Sequence, residues 1–162
     1  MRLTIRARMD PIMAKLHVSP RGKGQKRFTT VAVYEDQSTE SRVNEFCQGL
    51  SRQFGSDCEF VKQMWLLTEL RLAQLRSVAA VEAAAADLVI VSVHCGSALP
   101  TEVEQWLTAW LGRKGRQSRT LLALFDPLYR GDCSGMKAYL TDVAKKGKVE
   151  LLVQNEDRTD ER

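Results

Sequence analysis

The run Ala84-Ala85-Ala86-Asp87-Leu88-Val89-Ile90-Val91-Ser92-Val93-His94-Cys95-Gly96 constrains the fold more than any other part of the chain. An alanine-rich helix end passes directly into a continuous apolar strand that stops at polar residues and a glycine. A strand apolar on both faces belongs in the middle of a parallel sheet covered by helices on each side. In such sheets ligands gather at the carboxyl ends of the strands, so Ser92, His94, Cys95 and Gly96 mark where a site is to be sought.

The rest of the chain repeats the pattern. Phe28 to Tyr34 is β-branched and aromatic and then turns polar at Glu35-Asp36-Gln37-Ser38, which predicts a buried first strand. A helix capped by Ser38 or Thr39 is expected through Phe54, with Val43, Phe46, Cys47, Leu50 and Phe54 on one face and Gly55 ending it. Cys58 to Leu67 predicts the second strand, Leu70 to Ala86 the second helix and Leu88 to Val93 the third strand. Pro100 opens a helix carrying Val103, Trp106, Leu107, Trp110 and Leu111 on one face. Arg119 to Phe125 and Val149 to Val153 are the last two strands, separated by a helix from about Met136 to Lys146.

Five strands alternating with four helices, joined by right-handed crossovers, predict an α/β fold, a three-layer α/β/α sandwich around a five-stranded parallel sheet in the flavodoxin or receiver-like order 2-1-3-4-5. That order brings the ends of strands one and three together at one crevice. The expected organisation is a flexible basic arm over residues 1–27, one domain over 28–154 and a disordered polar tail over 155–162.

At 162 residues, 44% hydrophobic and 27% charged, the chain has enough apolar material for one core without a covalent staple. The net charge of +4 is unevenly placed: residues 1–27 hold eight cations against Asp10 alone, or +7, which leaves −3 for the remainder. Nucleic-acid binding is thus expected only weakly, through the arm. Cys47, Cys58, Cys95 and Cys133 form no CxxC pair and the histidines are His17 and His94 alone, so no metal is expected and free thiols in a cytoplasmic protein are. No apolar run reaches the ~18 residues of a membrane span and no signal peptide is visible.

The adjacent acids Glu35-Asp36 after strand one and the terminus of strand three resemble the layout of bacterial response-regulator receiver domains over residues 28–154. The resemblance implies an acidic pair for magnesium and a phosphate-accepting aspartate at the end of strand three. Here Ser92 occupies the acceptor position, Phe125-Asp126 replaces the hydroxyl residue after strand four, and Gln154-Asn155 stands where a lysine is expected. Taken whole, VAVYED, AAADLVIVSVHCG, ALPTEVEQWLTAWL and LLALFDP resemble a bacterial family of receiver-like α/β domains without an assigned activity. The function this implies is a signalling or protein-interaction domain without phosphoryl transfer, acting through a protein partner or as a homodimer.

The segment Ala86-Asp87-Leu88-Val89-Ile90 is also similar to deoxyribosyltransferase-like and Toll/interleukin-receptor-type domains, which place a glutamate on the following helix. This implies an alternative, a small nucleoside or nucleotide hydrolase or transferase with Glu102 (or Glu104) as the carboxylate and His94, Asp36 and Asp126 assisting. The helix dipole by itself favours an acid in a first turn. Gly96-Ser97 and Ser134-Gly135 precede helices and can offer N–H groups to an anion. Neither belongs to a P-loop or GxGxxG fingerprint, so no cofactor is assigned. Trp65 is expected at the crevice rim, stacking on a ligand or covering the sheet, and Trp106 and Trp110 are expected in the core.

Overall fold

The structure, a computed structural model, describes residues 19–21, 25–96, 98–113, 120–126 and 133–155. Its elements are β1 (Ser19–Arg21), β2 (Gln25–Tyr34), α1 (Gln37–Phe54), β3 (Cys58–Leu66), a 3₁₀ turn (Leu67–Arg71), α2 (Ala73–Ala84), β4 (Leu88–His94), α3 (Thr101–Leu111), β5 (Thr120–Asp126), α4 (Ser134–Gly147) and β6 (Glu150–Asn155). Strands β3, β2, β4, β5 and β6 lie side by side in that order and all parallel. Numbered among themselves they run 2-1-3-4-5, and with four helices the domain has a flavodoxin-like α/β fold.

Alternation along the strands divides the core into two faces. Val31 and Val33 of β2, Val89, Val91 and Val93 of β4 and Leu121, Ala123 and Phe125 of β5 meet α2, α3 and α4 on one face. Phe28, Ala32, Leu88, Ile90, Leu122 and Leu124 meet α1 on the other. Trp106 and Trp110 are fully buried in the first cluster with ring centroids 6.2 Å apart, so the α3 tryptophans are core. The alanines Ala79, Ala80, Ala83 and Ala84 let α2 approach the sheet closely.

Three local features depart from the sequence expectation. The sheet begins before Phe28: β2 starts at Gln25, and its first three residues pair antiparallel with β1, Ser19 opposite Arg27. Part of the expected arm is therefore strand, because β2 reaches further toward its amino end than β4, leaving an edge for β1. Second, the cap of α1 is Asp36, not Ser38 or Thr39. Its carboxylate accepts the Thr39 N–H (3.0 Å) while the Thr39 hydroxyl accepts the Asp36 N–H (2.8 Å), a reciprocal capping box. Third, the helix expected from Leu70 is split. Glu69 accepts the Leu66 N–H (2.8 Å), Leu72 is extended, and Arg76 donates to the Leu70 carbonyl (2.8 Å), so a 3₁₀ turn precedes α2.

Asp87 joins α2 to the central strand. Its N–H donates to the Thr29 carbonyl (2.9 Å) and its carboxylate accepts the Thr29 N–H (2.8 Å), continuing the β2–β4 ladder one step before β4 begins. Among the described residues no helix is long and apolar enough to cross a membrane.

Candidate functional site

At the carboxyl edge β4 outruns β2. Tyr34, the last residue of β2, is level with Ser92, and His94 lies two residues beyond, level with Asp126 of β5. The backbone N–H of His94 thus has no strand partner on the β2 side, and the Glu35 carboxylate accepts it (3.1 Å). The His94 ring reaches the Asp36 carboxylate, Nε2 to Oδ2 2.6 Å. Glu35, Asp36 and His94 are therefore brought together at the junction of strands β2 and β4, as the strand order predicts.

Burial pushes the Asp36 carboxyl up, but the His94 hydrogen bond, the Thr39 N–H, the His94 charge and the Thr39 hydroxyl together outweigh it, and the net shift is downward. The ionised carboxylate is thus what the fold stabilises, as both cap and histidine partner.

Ser92 is fully buried and donates to the Thr39 carbonyl (2.9 Å). Thr39, expected only as a possible cap of α1, is the organiser of this edge. Fully buried, it accepts from the Glu35 and Asp36 N–H groups (both 2.8 Å) and holds Ser92 through its carbonyl. The readable signal was the Asp-x-x-Thr spacing of a capping box.

Cys95 turns to the opposite face from His94 and is disulfide-bonded to Cys133, the N-cap residue of α4, with Cα atoms 5.1 Å apart. The expectation of four free thiols is corrected here: the chain folds the loop after β4 onto the start of α4, a proximity that 38 residues of separation conceal. Cys47 and Cys58 are free. Burial pushes the Cys47 thiol up to about 11, against a small opposing pull from Lys62. The Gly96 N–H donates to Met136 Sδ (3.2 Å) on the first turn of α4.

The other nominated residues lie apart. Glu102, in the first turn of α3, pairs with Arg71 at 3.2 Å. Trp65 packs on the α2–α4 face and its Nε1 donates to Glu82 of α2 (2.7 Å), so its polar edge is directed to a helix. Ser97 and the side chain of Asp126 lie outside the described residues. Among the described residues no three metal-ligating side chains cluster. A hollow of about 340 Å³ is lined by Val81, Ala84, Ala85 and Arg113. Ala84 and Ala85 lead into β4 and Arg113 follows α3, so this hollow sits at the amino edge of the sheet, opposite the strand tips.

The fold and this edge define a flavodoxin-like domain whose strand-tip acids are committed to one histidine and one helix cap. Compared with protein-family models the chain matches none, and a search of curated proteins likewise finds no match.

Proposed function

We propose that this domain is a receiver-like signalling and protein-interaction module of the cytoplasm that does not accept a phosphoryl group. Ser92 carries this reading: at the tip position where a receiver holds its acceptor carboxylate, a buried hydroxyl is spent on the Thr39 carbonyl. The neighbouring acids support it, since Glu35 is engaged by the His94 N–H and Asp36 by the His94 ring and the α1 cap. A magnesium ion would have to displace these contacts to gain the hard oxygen ligands it requires.

The interaction half of the reading is supported by α2, whose Val78 and Val81 are about half exposed (47% and 48%), with Ala85 one turn on. With Arg113 lining the same hollow, the fitting partner is a protein segment that offers an apolar side chain beside a carboxylate. Nucleic-acid affinity, if measured, is expected to be weak, confined to the basic N-terminal segment and steeply reduced by salt.

The test is incubation of the purified protein with acetyl phosphate and magnesium, read by intact mass. The expected result is an unchanged mass. A stoichiometric phosphoryl adduct that survives desalting would overturn the reading, as would saturable stabilisation by a nucleoside or nucleotide in a thermal-shift titration.

A further inference from the structure

The geometry points to the Cys95–Cys133 pair as a thiol–disulfide exchange site, whose substrate class is a small cellular thiol and its disulfide. The argument is independent of the phosphate question and rests on where the two sulfurs sit.

The disulfide is not needed to build the core. On the same face Trp106, Leu107, Met136 and Leu140 are almost wholly buried, and the Gly96–Met136 contact already ties the loop after β4 to α4. A domain of this size buries enough apolar surface to fold without a covalent link. The remaining cysteines are not arranged as a second bridge, Cys47 lying in the α1 core and Cys58 at the start of β3.

The two sulfurs are unequal in a way that gives exchange a direction. Cys95 is partly exposed at the strand tip, whereas Cys133 is 9% exposed at the N-cap of the 14-residue helix α4. A thiolate released at Cys133 would lie at the positive end of the α4 dipole, an environment that stabilises cysteine thiolates.

Exchange then proceeds in two displacements. The thiolate of a small thiol attacks Cys95 Sγ; a new S–S bond forms as the Cys95–Cys133 bond breaks, and its electron pair departs on Cys133 Sγ. A second small thiolate attacks the small-molecule sulfur of this mixed disulfide, releasing Cys95 as thiolate and a small-molecule disulfide. The two protons given up by the small thiols end on Cys95 and Cys133. Two small thiols are oxidised and one protein disulfide is reduced; the reverse sequence reoxidises the protein. In a reducing compartment such a pair cycles rather than persists.

Glutathione is the probe, in a Cys58→Ser background that removes the other partly exposed thiol. The parent should pass between disulfide and dithiol forms, read by thiol trapping and intact mass, as the ratio of reduced to oxidised glutathione is varied, with its circular dichroism unchanged. Added Cys133→Ser should give one glutathione adduct mapped to Cys95, and added Cys95→Ser should label at Cys133 more slowly, because that residue is the less exposed of the two. Two free thiols at every ratio, reduction only under denaturing conditions, or equal labelling rates at the two positions would each overturn the proposal. The parent titration decides the question by itself if either serine variant fails to fold.

Discussion

Asp36 stands at the meeting of three demands: it starts α1, binds the His94 ring, and takes its place in the acidic pair after the first parallel strand. Its lowered pKa has a definite sign. The folded chain prefers the ionised form, so the stability this carboxylate contributes is present above its ordinary value of 3.8 and is lost as pH falls through the lower folded value. Asparagine caps a helix about as well as aspartate but cannot ionise. Asp36→Asn should therefore be less stable than the parent at neutral pH by urea unfolding, and the gap should close as pH is lowered below roughly 4. Asp36→Ala, which removes the cap as well, should cost about 1 kcal/mol more. Among the thiols, Cys47 should resist iodoacetamide at neutral pH in the native protein and react once urea unfolds it, since burial holds it neutral. At this scale the sequence was partly legible. The set Glu35, Asp36 and His94 follows from strand order, but which acid takes the ring and which the backbone depends on β4 outrunning β2 by two residues, a length that no residue type announces.

The elements were most legible where burial is two-sided. The runs 31–33, 88–93 and 121–125 read as central strands because their residues must be apolar toward both helical layers. The 3₁₀ turn before α2 escaped notice because it is written in interactions, Glu69 to Leu66 and Arg76 to Leu70, rather than in helix-breaking residues. β1 escaped because Ser-Pro-Arg in a basic stretch carries no strand signal and is recruited only by the free edge of β2. The C-cap of α4 offers a direct test: Lys148 has φ 57°, left-handed, the conformation that favours glycine. Lys148→Gly should raise stability by up to about 1 kcal/mol, measured by denaturant midpoint. Leu50, fully buried where α1 meets the sheet, should lose about 2–5 kcal/mol on truncation to alanine.

For the whole molecule, the described boundary of the sheet changes where the chain can be cut. A fragment beginning at residue 28 removes β1 and three residues of β2, whereas one beginning at residue 19 keeps both. The shorter fragment should melt below the longer one in a thermal scan; equal melting temperatures would show that the β1 pairing contributes nothing. One tie also has a kinetic meaning. The Ser92 hydroxyl fastens the first turn of α1 to the sheet's central strand, so the helix start and the strand end should open to solvent as one cooperative unit. Amide hydrogen exchange would then report similar protection for residues near Val43 and near Val91. Ser92→Ala should let the helix start exchange sooner while the strand stays slow, converting one opening event into two.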